Sequence, residues 1–213
     1  MTDIVRFCVV RHGETGWNAE RRLQGHEDIP LNPTGEAQAR ATAGLLRDQA
    51  FDAAYTSDLR RAADTASAIR AGRTPATPRA DLRERHYGAF QGLTYAEAEA
   101  RHPAAYAHFE SRTPDEPIPG GGESLMEFHA RIHAAFNAMA DAHGGQTVLV
   151  VAHGGVLDIL NRMARRLPLD APRDFQIPNA ALNWLQRSAD GWLIEAWAQQ
   201  AHLSGARDEL PNG

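Results

Sequence analysis

The run Thr147-Val148-Leu149-Val150-Val151-Ala152 carries no charge and no alternation of polar with apolar side chains. A strand of that composition is apolar on both faces, so both must be covered, and parallel sheets flanked by helices are where such strands occur. Ile4-Val5 with Phe7-Cys8-Val9-Val10 reads as a second buried strand, residues 51–56 as another, and a further one is expected within 77–82. Residues 34–49 place Ala37, Ala41, Leu45 and Leu46 on one helical face, and Asn32-Pro33-Thr34-Gly35-Glu36 supplies a start. A helix capped by Ser57 or Asp58 is expected to run to about residue 71. Others are expected over 94–102, over 123–143 (Leu125, Phe128, Ile132, Phe136 and Met139 at helical spacing, with Gly144-Gly145 at the end) and from Val156 to about residue 166. Residues 112–122, with three prolines and three consecutive glycines, predict a loop. Residues 181–186 and 192–197 predict a terminal hairpin turned by Asp190-Gly191 and packed by a cluster of Trp184, Trp192 and Trp197.

Short strands alternating with longer helices predict an α/β fold. Three layers, α/β/α, are expected around a mostly parallel, doubly wound sheet, with a small helical and loop cap inserted at about residues 95–122. The 213 residues suit one domain, 1–213. A chain of this size can bury roughly 70% of its unfolded surface. Ligands in such sheets sit beyond the carboxyl ends of the strands.

Composition removes several chemistries. All 22 basic residues are arginine. Without lysine there is no P-loop, no Schiff base and no Ser-x-x-Lys nucleophile. A net charge of −5 with no long run of one sign argues against nucleic acid or a membrane surface as partner. No apolar stretch approaches the ~20 residues of a membrane span. Met1-Thr2-Asp3 lacks a signal-type opening, and the single cysteine, Cys8, fits a reducing compartment, so a cytoplasmic setting is expected. The polar segment from about 203 to 213 is expected to fray.

Two strands end alike. One runs Val9-Val10 into Arg11-His12-Gly13; the other runs Val151-Ala152 into His153-Gly154-Gly155. Both histidines therefore stand at the ligand-binding rim, each followed by a glycine that permits close approach. A neutral imidazole is a good nucleophile towards phosphorus, provided the phosphate charge is neutralised. Arg11 can supply charge, and Arg60 and Arg61 follow the second strand at the opening of a helix, where a guanidinium fork and helix amides suit phosphate oxygens. Glu84, after the third strand, can reach the same rim and protonate a leaving oxygen. Taken singly, each of these would more often be a solvated or structural residue.

Together they resemble the histidine phosphatase superfamily, which contains the cofactor-dependent phosphoglycerate mutases and related phosphatases. The resemblance rests on Arg11-His12-Gly13-Glu14-Thr15, Trp17-Asn18, Arg22, Gln24-Gly25, Asp28 and Pro30-Leu31. It continues through Thr56-Ser57-Asp58-Leu59-Arg60-Arg61-Ala62 with Thr65-Ala66, Glu84-Arg85-His86-Tyr87-Gly88 with Gln91-Gly92, Gly121-Gly122-Glu123-Ser124, and Ala152-His153-Gly154-Gly155. It implies that His12 is the phosphorylated nucleophile, that Arg11, Arg61 and His153 clamp the phosphate, and that Glu84 is the proton donor. It further implies that Asn18, Gln24, Gly25 and Gly154 border the substrate, and that no metal and no resident cofactor are used. The expected partner is a small-molecule phosphate ester, bound by a monomer or homodimer.

A mutase and a phosphatase would share the phosphohistidine. The mutase pattern has an Asn and a Lys where this chain has Thr94 and Tyr95, and a longer insert with paired arginines where residues 108–114 hold one, Arg112. Fewer cations weaken the hold on a second acidic group, so hydrolysis of small phosphate monoesters is expected. Phosphoglycerate mutase, primed by 2,3-bisphosphoglycerate, is the alternative. A non-catalytic phosphate-binding module is the distant one, disfavoured because nucleophile, clamp and acid are all present.

Other features read as structure. His129 and His133 could offer a metal two ligands on one helical face, but no third is evident. Position 14 is Glu rather than Arg, so Cys8 lacks the Cys-x5-Arg loop of cysteine phosphatases and reads as a core residue. No Asp-x-Asp nucleophile is present, and Gly120-Gly121-Gly122 reads as a lead into the helix that follows.

Overall fold

The computed structural model describes residues 4–203; the expectation of a frayed segment from 203 onward falls outside them apart from Leu203. Six strands form one sheet: β1 (Val5–Arg11), β2 (Ala53–Ser57), β3 (Thr77–Arg79), β4 (Thr147–Ala152), β5 (Leu182–Ser188) and β6 (Gly191–Gln199). Their spatial order is β3-β2-β4-β1-β5-β6. β1, β2, β3 and β4 pair in parallel, whereas β5 is antiparallel to both of its neighbours.

Side-chain alternation along the central strands builds two cores. Phe7 and Val9 of β1, with Val148, Val150 and Ala152 of β4, face α6 (Leu125–Ala142) and α7 (Gly154–Arg165). Cys8, Val10, Leu149 and Val151 face the opposite way, onto Leu46 beyond α2 (Pro33–Leu45) and onto Ala62, Ala66 and Ile69 of α3 (Arg60–Ile69). The β4 residues Val148 to Ala152 are each fully buried, which is why its sequence shows no polar alternation. Two helical layers around a mostly parallel sheet match the expected α/β architecture.

Helix starts follow local chemistry. Asn32 caps α2 by accepting from the Gly35 amide, with Pro33 in the first turn. Ser124 and Glu127 form a capping box on α6, so the triple glycine does lead into that helix. The cap of α3 differs from expectation. Its N-cap is Leu59 without a side-chain bond, and the Arg60 amide instead donates to Asp28 Oδ1 at 2.6 Å. Asp58 is engaged by the Arg83 fork, both contacts at 2.7 Å, and Ser57 Oγ accepts from the Leu59 amide at 3.3 Å.

The segment about residues 95–122 holds α4 (Tyr95–Arg101), α5 (Pro103–Glu110) and a loop. The sequence predicts no separate helix over the residues of α5. Pro103 ends α4 and occupies the first turn of α5, and no residue of α5 is fully buried, so it lacks a strong apolar stripe. A satellite cluster of Leu23, Phe90, Ala98 and Ile118, flanked by Tyr95, Tyr106 and Phe109, holds these pieces together.

The three tryptophans of the hairpin do not form one cluster. Trp192 packs on Phe7 and Phe136, Trp197 on Phe175, and Trp184 on Phe51 across the other face of the sheet. Trp184 and its neighbour Leu185 point to opposite faces of β5, which sends Trp184 to the side of the sheet away from the other two. Among the described residues no helix is long and apolar enough to cross a membrane.

The loop after His12 meets α2 backbone to backbone: a methyl group on Gly35 would strike the carbonyl oxygen of Glu14, whereas one on Gly44 of the same helix would meet nothing within 4 Å. Gly44→Ala should therefore stabilise the protein by up to about 0.5–1 kcal/mol through helix propensity. Gly35→Ala should destabilise it by about 1–3 kcal/mol through overpacking. Urea unfolding of both variants measures this, and equal effects would contradict the close approach.

Candidate active site

Parallel pairing of β1 with β4 sets Arg11 opposite Ala152, and the His12 amide extends the ladder onto the Ala152 carbonyl at 3.0 Å. The next residues on the two chains, His12 and His153, consequently emerge side by side. Their ring centroids lie 5.2 Å apart, edge to face. Both imidazoles are buried.

His12 Nδ1 lies 2.7 Å from the Gly13 carbonyl oxygen, which can only accept, so Nδ1 carries the proton and donates. That leaves the Nε2 lone pair as the nucleophilic position. Burial, followed by the nearby charges of Arg61 and Arg11, holds the His12 pKa well below the usual histidine value. The imidazole is therefore neutral at pH 7, as attack on phosphorus requires. His153 is held low by burial and then by Arg61, and among the described residues neither of its ring nitrogens has a hydrogen-bond partner.

Arg61 is fully buried near the start of α3. Its fork is fixed by main-chain carbonyls, Nη1 donating to Glu27 at 2.8 Å and Nη2 to Gly25 at 2.8 Å, while Nε has no partner. Burial lowers its pKa to about 10, so it remains a cation. Arg11 Nη1 donates to the Ile177 carbonyl at 2.7 Å. Arg60, by contrast, is exposed and pairs with Asp64 at 3.4 Å. Thr65 joins the two halves of the site, accepting from the Gly13 amide at 3.0 Å and donating to the Arg61 carbonyl at 2.8 Å.

Glu84 is buried, not paired with Arg83 or Arg85 on the surface. Its two oxygens accept from the amides of Arg85 at 2.8 Å and Gly155 at 2.9 Å. Those bonds favour the carboxylate, but burial outweighs them and raises the pKa. A carboxyl group held in place and biased towards its protonated form is what a general acid needs.

A cleft lined by Arg11, His12, Asn18, Gln24, Gly25, Arg61 and Glu84 gathers seven of the nine predicted residues. His153 is not among the lining residues, although its ring stands 5.2 Å from that of His12. Gly154, the first residue of α7, is not among the lining residues; its neighbour Gly155 does the work of holding Glu84. Asn18 Oδ1 accepts from the Thr15 amide and hydroxyl, both at 3.0 Å, and Gln24 accepts from the same hydroxyl at 3.0 Å. The cleft is lined further by Arg21, Arg22, Leu23, Tyr87 and Tyr95.

Sequence reasoning missed two supports. The loop at 177–180 clamps the backbone at His12: Asn179 Nδ2 donates to the His12 carbonyl at 2.9 Å and the Ala180 amide to the Arg11 carbonyl at 3.0 Å. Arg131 of α6 donates to the carbonyls of Asp81, Arg83 and Glu84, and so fixes the segment that carries Glu84. Pro178-Asn179 offered only a faint signal, and a helical Arg offered none. His129 and His133 sit 5.7 Å apart on α6, and among the described residues no group of three or more potential metal ligands occurs. Cys8 is a buried core residue whose thiol is pushed up by burial.

Residues 7–200 match the family model described as the histidine phosphatase superfamily (branch 1). The chain is 42% identical over 205 residues to phosphoglycerate mutase-like protein 4 of Arabidopsis thaliana, covering 94% of this chain and 88% of that one. It is 38% identical over 208 residues to a metal-independent phosphoserine phosphatase of the same plant, covering 95% and 85%. The solved structure of YhfR from Bacillus stearothermophilus superposes with a TM-score of 0.86 at 31% identity, covering 94% of this chain and all of that one.

Two outcomes are expected. A methyl group on Gly155 would collide with Glu84 Oε1, so Gly155→Ala should cut kcat on alkyl phosphates by roughly 10²-fold, within the range of a positioned acid, and much less on p-nitrophenyl phosphate, whose leaving group needs no proton. Equal losses on the two substrates would contradict the acid's role. In a profile of kcat/KM against pH, corrected for the substrate's own ionisation, the acid limb should fall as His12 gains its proton, below the ordinary histidine pKa. The alkaline limb should fall as Glu84 loses its proton, above the ordinary carboxylate pKa, and should vanish in Glu84→Gln. An acid limb above the ordinary histidine value would be inconsistent with a buried, cation-flanked His12.

Proposed function

The chain belongs to branch 1 of the histidine phosphatase superfamily, and on that footing we propose that it hydrolyses small phosphate monoesters through a phosphohistidine on His12. The observation that carries this reading is the pair of neutral, buried imidazoles beside Arg61, with Glu84 in the same cleft.

The steps follow from the atoms. His12 Nε2 attacks phosphorus, the bond from phosphorus to the alcohol oxygen breaks, and Glu84 gives that oxygen its proton. Arg11, Arg61 and His153 hold the phosphoryl oxygens and take up the charge that develops on them. Water then enters, Glu84 as carboxylate removes its proton, the new P–O bond forms and the N–P bond breaks. Orthophosphate leaves, His12 is again neutral and Glu84 is again protonated. These residues complete the cycle without a metal or an organic cofactor.

The mutase reading has a relative's name in its favour, but the cleft favours hydrolysis. Tyr95 lines it where a mutase would have a lysine. Arg112 is committed elsewhere, its Nη2 on Asp158 at 2.7 Å and its Nε on the Leu169 carbonyl at 2.7 Å. A bisphosphate would find too few cations to be retained while it turns. The segment at about 95–122 serves as the cap that selects the alcohol. The protein acts on a soluble substrate as a monomer or homodimer, with neither nucleic acid nor membrane as partner, and the single buried cysteine suits the cytoplasm.

Purified enzyme offered a panel of phosphate monoesters should release orthophosphate from at least one and should acquire a base-stable, acid-labile phosphoprotein label. His12→Ala should lose the label and roughly 10⁴-fold or more in rate. Vigorous interconversion of 2- and 3-phosphoglycerate with little orthophosphate would overturn the choice of hydrolysis.

A further inference from the structure

Arg21 ends the short helix α1 (Gly16–Ala19) in a Schellman turn: the Arg21 amide donates to the Asn18 carbonyl at 3.0 Å and the Arg22 amide to the Trp17 carbonyl at 2.8 Å. Arg21 takes the left-handed conformation this turn demands, with φ 56°. Glycine suits that position best, because it has no Cβ to clash. The chain instead places there a long cation whose side chain lines the cleft.

The four arginines of the cleft differ in what holds them. Arg61 is fixed by the Gly25 and Glu27 carbonyls and Arg11 donates to the Ile177 carbonyl, both deep beside His12. Arg22 is neutralised by Glu20 at 2.7 Å and Glu97 at 2.8 Å. Arg21 is exposed, and among the described residues it makes no ion pair. Arg21, Leu23, Tyr87 and Tyr95 line the same cleft as His12 and Glu84, and Arg21 is the exposed one of these four, so an alcohol leaving past Glu84 towards solvent would come within reach of Arg21.

Building on the hydrolytic reading above, we infer that Arg21 is a specificity-determining residue, which selects phosphate monoesters whose alcohol carries a carboxylate by pairing with that group across the mouth of the cleft. One guanidinium pairs with one carboxylate through a bidentate fork. It does not supply the additional charge that retention of a bisphosphate would need, so this role agrees with hydrolysis rather than transfer.

The turn geometry supplies the test, because Arg21→Gly removes the cation while suiting the backbone. Two near-isosteric esters, 3-phosphoglycerate and glycerol 3-phosphate, differ in the carboxylate. Their binding to His12→Ala, measured by calorimetry, needs no turnover and so reads Arg21 separately from the reaction. Arg21 predicts tighter binding of 3-phosphoglycerate, a preference reduced at least tenfold in His12→Ala/Arg21→Gly and largely kept in His12→Ala/Arg21→Lys, with a melting temperature equal to or above that of His12→Ala. An unchanged preference in the glycine variant, the absence of any preference, or loss of affinity for both esters alongside a lower melting temperature would overturn the assignment. Orthophosphate release by the unmodified enzyme tests the hydrolytic reading on its own, and its failure would leave the binding result to judge Arg21.

Discussion

Everything in the site depends on the register of two parallel strands. β1 and β4 pair so that Arg11 stands opposite Ala152, and both chains leave the sheet at the next residue. A slip of one residue would turn Phe7 and Val9 from one core to the other and send His12 away from His153. The two cores prevent it, because each face of each strand is matched to its own helical layer. The hydrophobic effect thus fixes the separation of two polar rings to the accuracy that chemistry requires, and the loop at 177–180 locks the backbone at the same point.

Electrostatics then works against stability and for function. Burying a guanidinium without a carboxylate is costly. Arg61 nevertheless makes no ion pair among the described residues; main-chain carbonyls orient it, and they do not neutralise it. The same burial discharges the histidines and raises Glu84. The result is a pocket with an excess of positive charge, neutral imidazoles and a carboxyl group biased towards its acid form. A phosphoryl group brings the missing negative charge, and its oxygens meet donors already in place, so little reorganisation accompanies the reaction.

Much of this could be read in the chain before its structure was known. Val9-Val10 before Arg11-His12-Gly13, and Val151-Ala152 before His153-Gly154-Gly155, announce two strand ends, and apolar runs are the most direct signal a sequence gives. What escaped reading depends on contacts between distant segments. Asp58 looked like a helix cap, but Arg83 reaches it from 25 residues away and a loop aspartate, Asp28, takes over its task. Arg131 looked like a solvated helix residue, yet it binds three carbonyls of the segment before Glu84. α5 escaped because it buries no residue fully. Asn179 escaped because its partner is a main-chain carbonyl, which no side-chain pattern can reveal.

Under the proposed function, a division between sheet and cap would let one chemistry serve different substrates. His12 and His153 follow the ends of β1 and β4, Arg61 lies in the first turn of α3, and all three are buried. The proposed cap at about residues 95–122 shares a satellite core of four buried side chains, its own Ala98 and Ile118 with Leu23 and Phe90. That cap is tethered to the main body through Arg112, which shares Asp158 of α7 with the fully buried Arg162. Exchange of a cap residue therefore perturbs a small cluster and leaves the paired histidines untouched. Exchange of Asp158 would instead strand two guanidinium groups beside α7, the helix that begins immediately after His153, and so would reach the reacting centre through the frame rather than through the cleft.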